Sequence, residues 1–218
     1  MKKESEKDFL IEGMRNKLVA ELVKKGITNE AVLAAIGKIP RHLFMDRGLE
    51  MHAYEDKAVS IGAGQTISQP YTVAFQSQLL NIQKWDRVLE VGTGSGYQTA
   101  VLLKLGAKVY TIERQRELFI QSQQLFHKMG LYPSCFFGDG YEGKPVFAPY
   151  QKIIITAGAT NIPEPLLEQL AVGGRMVIPV GDGNTQEMKV INKISEKEYK
   201  QETYGDFAFV PLLKGINQ

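Results

Sequence analysis

A strand-like run that breaks into three closely spaced glycines constrains this chain more than any other feature. Residues 88–91 are apolar apart from Glu90, and a helical pattern begins soon after them. Glycines at the end of a strand permit a tight turn and a close approach between the backbone and a ligand. The segment therefore predicts a strand–turn–helix unit with a binding site at the turn. The glycines stand at alternate positions, Gly92, Gly94 and Gly96.

A second acid, Glu113, follows the next strand-like run, residues 108–112. A carboxylate placed there can accept hydrogen bonds from both hydroxyls of an adenosine ribose. A dinucleotide site needs G-x-G-x-x-G to hold a pyrophosphate, whereas the order here is G-x-G-x-G. This order resembles the first motif of S-adenosylmethionine-dependent methyltransferases, in which an acid such as Glu90 can take the ammonium of the donor. Similar turns also occur in α/β proteins that bind no nucleotide, but the acids after neighbouring strands favour a ligand site.

The composition is that of an ordinary globular protein. The chain has 218 residues, 44% of them hydrophobic and 23% charged, with a net charge of +2. This length suits one α/β domain, and the near balance of charge makes nucleic acid a poor partner. The single cysteine, Cys135, excludes an internal disulfide. Residues 1–12 are charged and no apolar run is long enough for a membrane span, so we expect a cytoplasmic protein without a signal peptide.

The first 57 residues are expected to form a layer of helices. Apolar residues recur at helical spacing between residues 10 and 22, and Gly26 ends that helix. Thr28 is expected to cap a second short helix, which ends before Pro40.

Residues 58–69 indicate a short strand and a glycine-rich loop, and Pro70 then begins a helix that runs to about Leu80. From Arg87 onward strands and helices alternate, and the strands are nearly continuous apolar runs, as in a parallel sheet covered on both faces. Strands are predicted at 87–91, 108–112, 134–138 and 151–156, and helices at 96–105, 115–129 and 164–171.

Two further runs, 175–180 and 188–194, flank a Gly-Asp-Gly-Asn turn and predict an antiparallel hairpin. Right-handed crossovers between the earlier strands give a doubly wound, mostly parallel sheet with the ligand at its carboxyl edge. We therefore expect one α/β domain over 1–218. Its predicted parts are a helical layer at 1–57, the core at 58–180, and a hairpin with a substrate-side segment at 181–218.

Gly92, Glu113, Asp139 and Ala157 each follow a predicted strand, so we expect them to meet at that edge. The Asp139 carboxylate could accept the exocyclic amine of adenine. Alternatively, the Gly-Asp-Gly sequence could form an Asx-turn between strand and loop.

Other catalytic arrangements find little support in the sequence. The three histidines share no ligand spacing, so no metal site is predicted. Cys135 is expected to be a small buried hydrophobe. No G-x-S-x-G sequence and no Ser-His-Asp set stands out, and the pairs of glutamates are better explained as solvated helix faces.

The segment from Gln65 to Tyr71 has two interpretations. Thr66 or Ser68 could serve turn and cap chemistry before a helix with proline at its first position. Alternatively, the Ser68 hydroxyl and nearby backbone N–H groups could hold a substrate carboxylate beside the methyl donor.

The lack of an evident general base bears on the acceptor. Methyl transfer to an amine or a hydroxyl usually requires a proton to leave, whereas a carboxylate, with a pKa of about 4, is already ionised at neutral pH. Such an acceptor can attack the sulfonium methyl directly if a dry site positions it. The chain therefore fits carboxyl methylation.

The sequence resembles the protein-L-isoaspartate (D-aspartate) O-methyltransferase family over essentially its whole length. The segment around Ser68 is specific to that family, whereas the glycine motif indicates only the wider class I, Rossmann-like methyltransferases. The resemblance rests on 64–71, 88–100, 138–140, 153–181, the opening helices and 209–212.

The resemblance implies methyl esterification of the free carboxylate of L-isoaspartyl, and possibly D-aspartyl, residues in damaged proteins and peptides. The ester closes to a succinimide that reopens partly as aspartate. It implies S-adenosyl-L-methionine as donor and S-adenosyl-L-homocysteine as product. We further expect a monomer that needs no metal, nucleic acid or membrane. Ser68 matches the active-site serine, and 208–211 match a segment that pairs with the peptide backbone.

The residues carried over fall into two sets. The donor side comprises Thr66, Ile67, Ser68, Glu90, Gly92, Thr93, Gly94, Gly96, Glu113, Asp139 and Gly140. The substrate side comprises Thr66, Ser68, Ala157, Ala208, Phe209, Val210 and Pro211.

Two places deviate from the family pattern. Residues 157–163 replace a more usual Ala-Ala-Pro start, and Ala208 stands where many relatives carry a longer, often basic side chain. The rival functions are a methyltransferase of another acceptor, such as a small-molecule carboxylate or RNA, a non-catalytic nucleoside-binding module, and a nicotinamide dehydrogenase. None of them explains residues 64–71.

Overall fold

The computed structural model describes residues 2–217, with the side chains of residues 9–217. Met1 and Gln218, the ends of the predicted domain, lie outside the described residues. Helices α1 (Lys2–Lys24) and α2 (Glu30–Lys38) are followed by short 3-10 helices at Arg41–Phe44 and Arg47–His52. No helix within residues 2–217 is both long enough and apolar enough to cross a lipid bilayer.

The prediction that Thr28 caps α2 is wrong by one residue. The cap is Asn29, whose side-chain oxygen accepts a hydrogen bond from the Val32 N–H at 3.1 Å. Thr28 instead donates its own backbone N–H to the side chain of Gln78 in the next long helix, at 2.8 Å. The second helix is therefore tied to the core at its first turn.

Residues 58–69 hold one more strand than predicted. Strands β1 (Val59–Gly62) and β2 (Gln65–Ile67) pair antiparallel, so the glycine-rich loop is the turn of a small hairpin. Helix α3 (Pro70–Leu80) then begins at Pro70 and ends at Leu80, as predicted. The hairpin leads straight into α3, and Ser68 lies between them.

A seven-stranded sheet forms the centre of the molecule. Its order is β5-β4-β3-β6-β7-β8-β9, and the first five of these strands run parallel. The predicted strands and helices between 87 and 169 agree with the structure to within two residues. The elements are β3 (Arg87–Val91), α4 (Tyr97–Lys104), β4 (Lys108–Glu113), α5 (Arg116–Met129), β5 (Ser134–Phe137), β6 (Tyr150–Ile155), α6 (Glu164–Gln169), β7 (Leu170–Val180), β8 (Gln186–Lys193) and β9 (Tyr199–Phe207).

Strand β3 lies inside the sheet, and its neighbours β4 and β6 mark the point where the strand order reverses. Its side chains alternate between two packed layers. Val88 packs with Leu80 of α3 and Leu102 of α4, whereas Leu89 packs with Leu166 of α6. Both faces of the sheet are therefore covered, which is why the strands read as continuous apolar runs.

The C-terminal part of the sheet is antiparallel, as the hairpin prediction required, but it is longer than expected. Strand β7 already begins at Leu170, which pairs with Tyr150. The prediction that residues 170 and 171 belong to the preceding helix is therefore wrong. Strand β9 was not predicted because it is an edge strand of mostly polar residues with no apolar run. It pairs with β8 and brings Phe207 back toward α3.

Candidate active site

The carboxyl ends of β3, β4 and β6 surround a cavity, here called the first cavity. Gly92, Glu113 and Ala157 follow or end these three strands, and all three line it. Doubly wound sheets bind ligands at such a reversal of strand order. Three of the four residues expected at this edge therefore meet in one cavity. The other predicted site residues that line it are Thr66, Ile67, Ser68, Thr93, Gly94, Gly140, Val210 and Pro211.

Gly92 begins the glycine-rich turn with a backbone conformation that side chains rarely adopt, φ +96°. A Cβ atom at this position would lie 2.5 Å from the hydroxyl oxygen of Thr156. That hydroxyl lies 2.7 Å from the Gly92 carbonyl oxygen and 3.0 Å from that of Val91. Glycine is therefore required here by both conformation and space, and Thr156 ties the end of β6 to the end of β3.

Glu113 presents a fixed carboxylate to the first cavity. One of its oxygens accepts the Gly94 N–H and the other the Gln115 N–H, each at 2.8 Å. A carboxylate has about four lone-pair sites, so each oxygen keeps capacity for a further donor. The side chain is only 4% exposed, so its direction is set by the glycine-rich turn and the start of α5.

Glu90 does not line the first cavity, although the sequence suggested that it contacts the donor. Its side chain is fully buried and accepts a hydrogen bond from the Thr99 hydroxyl. Burial raises the pKa of the Glu90 carboxyl to about 8, because a charged carboxylate is poorly solvated there. The nearby hydroxyls of Thr93 and Thr111 lie 2.6 Å apart. Direct contact with an ammonium remains a prediction.

Gly96 and Asp139 also lie outside the lining of the first cavity. Gly96 has φ +87°, and a Cβ there would lie 2.5 Å from the Phe126 ring, so it serves the packing of α4 on α5. Asp139 accepts the Tyr141 N–H at 2.8 Å, which is the Asx-turn geometry that the sequence left open. Its other oxygen accepts the Gly215 N–H at 2.6 Å. Its contact with adenine stays a prediction.

The C-terminal segment closes one side of the first cavity. Gly158 donates its N–H to the Val210 carbonyl at 2.8 Å and accepts from the Leu212 N–H at 2.7 Å. Further along, Arg114 donates its Nε–H to the Gly215 carbonyl at 3.1 Å. These contacts fix the segment across the ends of β4 and β6.

Ser68 does not act as the cap of α3. Gln69 stands at the cap position without a side-chain cap bond, and the carboxylate of Asp56 accepts the Tyr71 N–H at 2.7 Å instead. Among the described residues, no hydrogen-bond partner is assigned to the Ser68 hydroxyl. The backbone carbonyl of Ser68 accepts from the buried guanidinium of Arg41 at 3.1 Å. The hydroxyl is therefore available to a ligand, while the backbone is fixed.

A second cavity lies between α3 and the end of β9. Its lining includes Ala208 and Phe209, two residues of the predicted substrate side, together with Tyr71, Phe75 and Phe207. Four residues line both cavities, and they mark the place where the two cavities meet. They are Thr66, Ser68, Thr156 and Val210.

Several lining residues were not predicted. Thr156 directly follows β6, so its position at the end of a strand was as strong a signal as that of Ala157. Arg114 likewise follows β4 directly, whereas Leu212 and Leu213 carry no such local signal, since the fold alone brings them to the cavity. The first-cavity residues outside the predicted set are Gln65, Val73, Val91, Ser95, Tyr97, Gln98, Ile112, Arg114, Thr156, Leu212 and Leu213.

Comparison with known proteins identifies a family that matches this chain. The family model for protein-L-isoaspartate(D-aspartate) O-methyltransferase matches residues 13–217. A protein-L-isoaspartate O-methyltransferase of Christiangramia forsetii is 60% identical over 207 residues, which cover 94% of this chain and 97% of the relative. That of Flavobacterium johnsoniae is 58% identical with the same coverage.

Among solved structures, a protein-L-isoaspartate O-methyltransferase (beta-aspartate methyltransferase) from Plasmodium falciparum in complex with S-adenosyl-L-homocysteine has a TM-score of 0.81. The match covers 92% of this chain and 99% of that chain, at 24% identity, and shows the shared fold. The family model and the relatives extend the relationship over nearly the whole sequence. This chain therefore belongs to the protein-L-isoaspartate (D-aspartate) O-methyltransferase family.

Proposed function

We propose that this protein transfers a methyl group from S-adenosyl-L-methionine to the free carboxylate of L-isoaspartyl residues in proteins and peptides. The observation that carries the proposal is the position of Ser68. Its hydroxyl has no partner among the described residues, and Ser68 lines both cavities. A donor in the first cavity and a peptide in the second would meet beside this hydroxyl.

The residues of the first cavity fit the donor. Glu113 can accept both ribose hydroxyls while keeping its two backbone hydrogen bonds, and Gly92 leaves its position free of a side chain. Arg114 is the one cationic side chain among the described lining residues, in keeping with a ligand that carries no phosphate. When bound, S-adenosyl-L-methionine supplies an electrophilic methyl group on a sulfonium centre.

The acceptor chemistry needs orientation rather than proton removal. An isoaspartyl carboxylate is ionised at neutral pH, and the described lining of the two cavities contains no histidine, lysine or cysteine. The Ser68 hydroxyl donates to one carboxylate oxygen and leaves the other to react. Thr66 and Thr156 line the same junction, and Val210 closes it on the apolar side.

The peptide backbone is held by residues 208–211 as an added strand. The methyl ester product has a better leaving group than the free acid, so the neighbouring amide nitrogen can close a succinimide that reopens partly as aspartate. D-aspartyl acceptance, a monomeric state, a single domain, a cytoplasmic location and independence of nucleic acid, membrane and metal complete the proposal.

The test uses two synthetic peptides that are identical except for an isoaspartyl or a normal aspartyl linkage. Each is incubated with the protein and methyl-labelled donor, and base-labile methyl ester is counted. Ester on the isoaspartyl peptide alone supports the proposal. Label on neither peptide, with donor still bound, would redirect the search to another acceptor such as a small-molecule carboxylate.

A further inference from the structure

Three aromatic rings stack against each other on one wall of the second cavity. Tyr71 and Phe75 come from α3, one turn apart, and Phe207 comes from the last residue of β9. The ring centroids lie 5.6 Å apart for Tyr71 and Phe75, 5.2 Å for Phe75 and Phe207, and 6.2 Å for Tyr71 and Phe207. Interplanar angles of 28°, 28° and 12° make this a nearly parallel set, here called the aromatic wall.

The aromatic wall is only partly covered by protein. All three rings are half-buried and line the second cavity, whereas core rings such as Tyr97 and Tyr150 are 2% and 0% exposed. Stacked rings that served only to fill the core would be enclosed like those two. The wall therefore keeps apolar surface available to whatever occupies the cavity.

The wall is also held in place before any ligand arrives. The Tyr71 N–H donates to Asp56, and the Lys25 ammonium lies 5.7 Å from the centre of the Tyr71 ring. Phe75 makes an edge contact with Tyr204, with 6.5 Å between the centroids. A rigid apolar surface loses little entropy when it receives a side chain, which favours binding.

We infer that the aromatic wall is a subsite for an aromatic side chain that flanks the isoaspartyl residue of the substrate. The inference rests on the proposed function, since it takes the second cavity to be the peptide site. The second cavity meets the first at Ser68, so a neighbour of the reacting residue falls within reach of the wall. An aromatic ring would add a fourth member to the stack, and aromatic pairs are more favourable than their buried area alone predicts.

The first arm of the test needs no variant. Isoaspartyl peptides with alanine flanks are compared with peptides in which one of the two residues on either side is tyrosine, leucine or lysine. We expect tyrosine at one of these positions to lower the KM roughly three- to tenfold against alanine, with leucine intermediate and kcat little changed.

The second arm assigns the effect to the wall. Phe207→Leu removes a wall ring but keeps apolar bulk, and we expect it to bring the ratio of the alanine-peptide KM to the tyrosine-peptide KM to within about twofold of one. Phe119→Leu is the matched control, because it breaks a different ring pair. The ring centroids of Phe119 and Phe137 lie 5.8 Å apart, and neither residue lines the first or the second cavity. This control should keep the wild-type ratio.

Three results would overturn the inference. Equal KM values for every flank would refute the subsite while leaving the methylation of isoaspartyl residues intact. A tyrosine preference that persists in Phe207→Leu would place the subsite elsewhere. Failure to methylate any isoaspartyl peptide would refute the proposed function, and the subsite with it.

Discussion

The buried guanidinium of Arg41 donates a hydrogen bond to the backbone carbonyl of Ser68, with a nitrogen–oxygen distance of 3.1 Å. The same group donates to the carbonyls of Ala53 at 2.6 Å and Lys57 at 3.3 Å. Arg41 is 0% exposed, and burial lowers its pKa from the ordinary value. One side chain therefore links the segment after α2 to the serine that lies between the two cavities.

Replacing Arg41 with lysine should destabilise the protein and weaken its activity. The lysine ammonium cannot reach three carbonyls from one planar group, so at least one buried acceptor loses its donor, at a cost of about 1–3 kcal/mol. Urea unfolding and methylation assays measure the two effects. Arg47→Lys, at an exposed position nearby, is the control. Equal stability of both variants would contradict the role assigned to Arg41.

Replacing Ser68 with alanine should lower kcat/KM for an isoaspartyl peptide roughly ten- to a hundredfold, since a hydrogen bond to a charged group contributes about 1.5–3 kcal/mol. The free energy of unfolding should change little, because no protein hydrogen bond of the hydroxyl is lost among the described residues. Ser60→Ala changes an exposed serine of the hairpin that precedes Ser68 and should keep wild-type activity. Full activity in Ser68→Ala would remove this serine from the mechanism.

Glu113→Gln should weaken the binding of S-adenosyl-L-homocysteine about tenfold or more. The amide group of glutamine would face the Gly94 or Gln115 N–H donor, so the turn would shift as well as losing a charge-assisted acceptor. Calorimetric titration measures the affinity, with Glu117→Gln on the exposed face of α5 as the control. Unchanged affinity would show that the carboxylate does not hold the ribose.

The buried carboxyl of Glu90 should make the free energy of unfolding depend on pH. Its pKa is raised by burial from 4.5 to about 8, so the folded protein keeps a proton that the unfolded chain releases. The stabilisation of the folded state by this bound proton is complete below pH 4.5 and is lost as the pH rises toward 8. Between pH 5 and pH 8 wild type should lose about 3 kcal/mol of unfolding free energy relative to Glu90→Gln.

Urea unfolding at several pH values checks this difference, with the exposed Glu168→Gln as a control that should follow wild type. Parallel curves for wild type and Glu90→Gln would show that Glu90 is ionised in the folded protein throughout this range.

The parts of the site that depend on neighbouring residues in the sequence could be predicted from local patterns. The glycine-rich turn at Gly92 and the carboxylate of Glu113 follow apolar strands, and the order of such strands in a parallel sheet brings their ends together. The helix that begins at Pro70 was equally visible, because proline at the first helical position is a local signal.

The remaining features depend on distant contacts. The apolar run around Glu90 shows a strand, but it does not show that the carboxylate points away from the first cavity, toward Thr99. Asp139 carries the same pattern whether it binds a ligand or the Gly215 N–H of the C-terminal segment. Phe207 ends a polar edge strand, so only the folded sheet reveals that it stacks on Phe75.

The most direct test measures kcat/KM for two peptides that differ only in an isoaspartyl or a normal aspartyl linkage at one position. We expect the isoaspartyl peptide to be methylated and the aspartyl peptide to give no ester above background. Equal kcat/KM values for the two peptides would contradict the assignment of the second cavity to an isoaspartyl substrate.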